Sequence, residues 1–271
     1  GYYQRCLQLV SQWINNLKIM GRINFHKTPD YNLPGYPTID MFCLLEKRNW
    51  LAGLLMIISI TSFAQDEKFD VWSTIRLQKK WYRWDFSAET ELRSSGFYQH
   101  TDRLSLQGEA CYDVKKWLKA GALYQLINFY DSKYDDYQLR NRFGAYVQGK
   151  KKWGGFTFSL QEQLQLTMKD ESDRIKNNGE TDTYKVNPSV VWLNKLKMKY
   201  HFTDCPLTPA FSAETFYQLN DPDGNTFTKI RYTLSLDYTF ARRHHFEISG
   251  KIDNKLDNPE NKYILGIGYT Y

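Results

Sequence analysis

The chain reads as all-β: a closed antiparallel transmembrane β-barrel of about 10–12 strands. Three observations predict it. A basic-aromatic knot, Lys-Lys-Trp, returns in "LQKKWYRW", "DVKKWLKA" and "GKKKWGGF", placing Trp81, Trp117 and Trp153 at equal intervals of 36 residues. From residue 69 onward the apolar residues alternate with polar ones at a period of two, the mark of strands with one greasy and one wet face. Ahead of that region lies a short apolar segment with the features of an export signal.

Composition bounds the alternatives. A chain of 271 residues with mean hydropathy −0.61 is polar overall, yet 16% of it is aromatic, with 20 tyrosines. Disordered chains are poor in aromatics, so this one folds. The net charge of +6 is mild and scattered, which argues against a nucleic-acid partner. Cys111 and Cys205 are the cysteines beyond residue 64, too few for a disulfide framework.

The targeting segment reads "EKRNW" at 46–50, then "LAGLLMIISITSFA" at 51–64, then "QDE". A basic flank, an apolar core too short to span as a helix, and Ser62 and Ala64 at the −3 and −1 positions predict a signal peptide over 41–64. Residues 1–40 are then expected to be an upstream translated extension, and 65–271 the barrel, beginning at Gln65.

The strands follow from the alternation. "YRWDFSAETEL" puts Tyr82, Trp84, Phe86, Ala88, Thr90 and Leu92 on one face, against Arg83, Asp85, Ser87, Glu89, Glu91 and Arg93. "FTFSLQEQLQL" and "IRYTLSLDYTF" divide the same way. Eleven segments emerge: 69–79, 82–94, 102–114, 117–130, 136–149, 155–169, 184–202, 207–219, 227–241, 245–254 and 262–271. Short connections are expected near Lys80, Lys116, Lys152, Asp204 and Arg243, and longer polar ones at "SSGFYQH", "YDSKYDD", "ESDRIKNNGETD", "NDPDGN" and "NKLDNPEN". The 36-residue interval is thus one β-hairpin plus its connections, with each Lys-Lys-Trp at a tight turn on one rim. An antiparallel sheet closes evenly only with an even count, so ten or twelve strands are expected.

Alternation alone does not say whether the greasy row faces a core or lipid, and a soluble β-sandwich stays open at this point. The export signal, segments long enough to cross a bilayer when tilted, and aromatics at the ends of the apolar rows favour a barrel in lipid. Trp81, Trp117, Trp153, Tyr269 and Tyr271 are the expected membrane-interface aromatics. Glu162 is the anomaly, a carboxylate between Leu160 and Leu164 in the apolar row. Pairing across the 151–154 turn would set it near Phe143 and diagonal to Asn141, and its surroundings leave a homo-oligomer contact open.

The final stretch "KYILGIGYTY" resembles the C-terminal assembly signal of Gram-negative outer-membrane barrels, and "SFAQDE" resembles signal peptides of Bacteroidota. Trp72, "KKW" followed by "AETELR", "LRNRF" at 139–143 and "PAFSAETFYQL" at 209–219 are similar to a porin-like family of Bacteroidota outer-membrane barrel proteins, a domain of unknown function. The resemblance covers about residues 65–271 and carries no catalytic motif. It implies an outer-membrane location in a Gram-negative bacterium, with membrane lipids and the barrel-assembly machinery, through the C-terminal strand, as partners. It also implies short turns toward the periplasm and long loops outside.

The expected site is the wet row: Arg83, Asp85, Glu89, Arg93, Arg103, Glu109, Arg140, Arg142, Glu214, Arg231, Asp237, Glu247 and Lys251 lining a lumen. Such residues suit porin-like passage of small polar solutes, or a lumen filled by ion pairs in a structural role. No cofactor, metal or enzyme activity is expected. The alternatives are a lipid-modifying enzyme using Ser94, Ser95 or His100, and a surface-binding barrel working through its outer loops. No G-x-S-x-G elbow or metal-spaced histidine cluster supports the first.

Overall fold

The computed structural model describes residues 69–95, 100–175, 180–203, 205–240, 243–256 and 261–271. The expected extension (1–40), the signal (41–64) and Gln65–Lys68 lie outside the described residues. Eleven strands form: β1 (Phe69–Trp81), β2 (Trp84–Ser95), β3 (His100–Lys115), β4 (Leu118–Asp131), β5 (Asp136–Trp153), β6 (Phe156–Lys169), β7 (Ser189–Tyr200), β8 (Leu207–Gln218), β9 (Thr226–Phe240), β10 (His244–Lys255) and β11 (Asn261–Thr270). Each pairs antiparallel with its sequence neighbour, and the sheet closes on itself into a barrel where β1 meets β11.

That seam corrects the expectation of an even count. β1 and β11 pair parallel, from Phe69↔Tyr263 through Arg76↔Thr270. A parallel seam lets an odd number of otherwise antiparallel strands close with no unpaired edge, which removes the hazard an open edge presents. Gln78 N donates to Tyr271 O at 2.7 Å and Tyr271 N to Arg76 O at 2.9 Å, extending the seam to the last residue. An odd count also puts the start of β1 and the end of β11 on opposite rims.

The turns fall where the tryptophan knots indicate. Tyr82–Arg83 joins β1 to β2, Lys116–Trp117 joins β3 to β4, and Gly154–Gly155 joins β5 to β6. Gly154 sits at φ 58, which a glycine adopts without steric cost and which a two-residue hairpin turn requires. On the opposite rim, two hairpins are tighter than their polar sequences suggest, because Ser95↔His100 and Asp131↔Asp136 continue the ladder. The longest connection, 170–188, takes residues 184–188 that the alternation assigns to a strand. Pro188 has no N–H for a ladder, so β7 begins only at Ser189.

The polarity of this barrel is inverted relative to a globular core. The outward row carries Ile75, Leu77, Leu106, Val147, Leu160, Leu196, Leu234, Ile248 and Ile267, all exposed large apolar side chains. The inward row buries Glu91, Arg103, Gln125, Gln163, Glu214, Ser235 and Asp253. A single closed sheet of this kind is no sandwich, and that alternative is set aside. Cys111, buried, and Cys205 are both free thiols.

Glu162 does sit in the outward row, but its neighbours differ from the sequence expectation. The Gly154–Gly155 turn sets it opposite Val147 on β5 and Asn194 on β7. Trp192 Nε1 donates to Glu162 Oε2 at 2.8 Å. The Asn194 amide, oriented to satisfy both its neighbours, donates to Glu162 Oε1 at 3.0 Å and accepts from Thr215 Oγ1 at 3.3 Å. Asn141, the other polar outlier, accepts from Tyr124 Oη at 2.7 Å. Both outliers therefore find partners within the chain, one strand away.

Candidate functional site

The alternation of a strand sends every second residue inward, so the barrel interior is assembled from one row of each strand. Register fixes which charges meet. Trp72, in the long-loop half of β1 and 4% exposed, is ringed by cations. The Arg93 guanidinium lies 3.6 Å from its ring centre, and Arg231 and Lys251 each lie 4.7 Å away. The strands of Arg231 and Trp72 are not neighbours, so this contact crosses the interior itself. An indole face is a favourable seat for such cations when water is scarce.

Two walls meet at Trp72. On the β7–β10 wall several cations are held by carboxylates. Asp253 accepts from Arg231 Nε at 2.5 Å and Nη2 at 2.7 Å and from Lys229 at 3.2 Å, while Lys195 pairs with Glu214 at 2.6 Å. Glu247 and Lys251 border a small cavity of about 90 Å³ beside Lys195, Lys197 and Glu214. On the β2–β6 wall a chain of polar contacts runs round the strands. Arg93 donates to Glu91 at 2.8 Å, Ser105 to Glu91 at 3.5 Å, Gln125 to Ser105 at 3.2 Å, and Arg142 to Gln125 at 3.4 Å and Thr167 at 3.0 Å. Arg103 reaches Glu91 only at 3.8 Å, and its Nε and Nη2 find no hydrogen-bond partner. Arg140 stacks 3.7 Å over Phe129 and donates to Tyr184 Oη at 3.1 Å.

Toward the short-turn rim the pairs continue. Arg76 holds Glu89 at 2.6 Å and approaches Glu109 at 3.9 Å, and Tyr146 Oη donates to Glu109 across β4. Gly121 makes that crossing possible, since a Cβ there would lie 2.5 Å from the Tyr146 ring. Lys119 bridges Asp85 (3.2 Å) and Asp113 (3.3 Å), and Lys199 meets Asp237 at 3.1 Å.

Arg83 departs from the expected lining. It lies in the β1–β2 turn, donates to the Asp113 and Val114 carbonyls at 2.5 to 2.9 Å, and sits over the outward Tyr112 ring. Its row position is inward, but the turn lifts it above the rim to cap the next turn. Trp81, Trp117 and Trp153 stand exposed at that rim, as does Tyr271, while Tyr269 Oη is 2.7 Å from His244 Nδ1. The row also holds charges the sequence reading did not single out: Asp70, Arg76, Glu91, Lys119, Lys195, Lys229, Asp253 and Lys262. The same period of two marks them. Asp70 and Lys262 pair across the seam, and nothing local in the sequence announces that contact.

The long-loop rim carries a latch. Arg174, buried in the 170–188 connection, forms an ion pair with Asp131 and with Asp182 (3.1 Å) and stacks 3.9 Å over Tyr184. Tyr184 Oη donates to Gln138 in the interior. The Lys133 ammonium (2.7 Å), with the Tyr134 hydroxyl and Arg174, holds the Asp182 carboxyl well below the usual carboxylate range. A depressed carboxyl contributes above its unfolded value and loses that contribution as pH falls through its folded value, so the latch is intact at neutral pH. Arg174→Gln should speed amide exchange at Asp182 and Tyr184 by roughly tenfold at pH 7. The native protein should show that loosening only when acidified below the ordinary carboxylate range. Unchanged exchange in Arg174→Gln would mean the loop is held by something else.

The serines and histidine considered for hydrolysis lie at the same rim. Ser95 faces His100 across the hairpin, but its Oγ donates to Asp102 at 2.9 Å, and Ser94 Oγ donates to Val71 O. A nucleophile needs its hydroxyl directed at a base oriented by a third group, and this arrangement sends the Ser95 proton straight to the carboxylate.

Solved structures similar to the chain include the following. One is a bacterial polysaccharide outer membrane secretin, at 11% identity and TM-score 0.45, covering 69% of this chain and 63% of that one. The chain thus spans less than two thirds of the secretin. The second is the NanC porin, at 12% identity and TM-score 0.46, covering 74% of this chain and 99% of that one. The third is the β domain of the Bordetella autotransporter Brka, at 9% identity and TM-score 0.45, covering 69% and 82%. No curated protein matches the chain. The family described as "Protein of unknown function (DUF2490)" matches residues 69–263, from the first residue of β1 into β11, and the chain belongs to that family.

Proposed function

We propose that the protein is an outer-membrane β-barrel of a Gram-negative bacterium that passes small polar solutes through a narrow, charge-lined interior. The observation that carries this reading is the inverted polarity: a belt of exposed Leu, Ile, Val and Phe outside and buried ionised pairs within. Water would penalise that belt and hydrocarbon would not, and a barrel satisfies every ladder group without water. Its partners are the lipids against the belt and the machinery that reads the C-terminal strand.

The passage is narrow. Arg103, Glu91, Trp72, Glu214 and Asp253 are all nearly excluded from solvent, so side chains fill the interior around them. Barrels of about eight strands are filled, and open aqueous channels come at about sixteen. Solute therefore crosses by exchanging places with charged side chains rather than by free diffusion. In planar bilayers the refolded protein should give discrete conductance steps well below those of an open porin, and liposomes carrying it should take up small polar solutes. Protein that is heat-modifiable and fully inserted, yet passes neither ions nor solutes, overturns the passage and leaves a structural barrel.

A further inference from the structure

We propose that the β2–β6 wall of the interior binds a small oxyanion, a carboxylate or phosphate group, at Arg103 between Arg93 and Arg142. The inference deepens the passage reading and rests on it for its biological meaning. Of these three arginines, Arg93 and Arg103 pair with the same carboxylate, Glu91. Glu91 is committed to Arg93 at 2.8 Å and lies 3.8 Å from Arg103. Arg142 turns to the neutral Gln125 and Thr167. Arg103 is 7% exposed, and its Nε and Nη2 have no hydrogen-bond partner.

An arginine cannot shed its proton to escape burial, so an incompletely paired guanidinium is costly until an anion completes it. Nε and one Nη form the edge of the guanidinium fork that receives two oxygens of one carboxylate or phosphate. A lone water accepts from that edge without neutralising it, and chloride offers a single acceptor. Asp253 does for Arg231, through Nε and Nη2, what the solute would do for Arg103. The chain thus completes this fork on Arg231 and leaves it without hydrogen bonds on Arg103. A solute arriving with its own carboxylate or phosphate would be held beside Arg103, in the long-loop half of the interior.

The test uses the full chain folded in detergent micelles, with inorganic phosphate and succinate titrated separately against chloride at constant ionic strength. Glycerol is the neutral control, and the temperature at which the folded, heat-modifiable band is lost is the readout. A hundredfold excess over Kd of either oxyanion should raise that temperature by about 5–10 °C. Arg103→Gln should abolish the rise, and Arg103→Lys should keep part of it. Should Arg103→Gln fail to fold, Arg142→Gln takes its place with affinity reduced roughly tenfold, a weaker flank around an intact fork. The proposal is overturned if chloride matches both oxyanions, or if the variants respond as the unmodified chain does.

A reversal potential in a KCl gradient separates this idea from the passage itself. Conductance without an oxyanion shift sinks the site and keeps the passage. An Arg103-dependent shift in a barrel that never conducts does the reverse.

Discussion

Leu106→Arg and Gln107→Arg, adjacent on one strand, should differ in stability by about 1–4 kcal/mol. Leu106 lies at the middle of β3, points outward and is 57% exposed, while Gln107 points inward opposite Gln125 and Glu89. An arginine on the lipid face at mid-bilayer costs about 2–4 kcal/mol, and one added to a polar interior costs under about 1. Urea titration of folding into lipid vesicles, scored by the heat-modifiable band, reads both. Equal costs would mean the outward row does not meet hydrocarbon, and the membrane assignment would go with it.

Asp253→Asn should cost about 3–5 kcal/mol by the same titration, because it strips a shared counter-charge from two buried cations. Asp253 holds Arg231 through two bonds and Lys229 through a third. Adding Arg231→Gln to Asp253→Asn should recover part of the loss, since neutralising both partners removes the stranded charge. A loss below about 1 kcal/mol for the single variant would show that water reaches this pair freely and that the interior around it is open.

The Asp253 case shows how far the sequence reaches. Arg231 is legible as inward because Ile230, Tyr232 and Leu234 flank the polar row, and the same reasoning serves Arg93, Arg103 and Arg142. Their partners are not legible. Asp253 meets Arg231 only because β9 and β10 pair in one register, and Trp72 meets Arg231 only because the barrel closes. Glu162 makes the point in reverse: placing the turn at Gly154–Gly155 instead of within 151–154 moves its neighbour from Phe143 to Val147. Arg83 also reads as inward by parity, yet a turn residue is free of the pleat, and it leaves the row.

By itself the sequence determined most of the strands, the side of the sheet their residues face and the rim on which the tight turns lie, because a period of two and turn chemistry are local properties. The tertiary structure alone decided that eleven strands can close, through the parallel seam at β1 and β11, and which interior charges are paired. Those depend on contacts between residues up to some two hundred positions apart, where closure of the sheet, and not the local pattern, selects the partner.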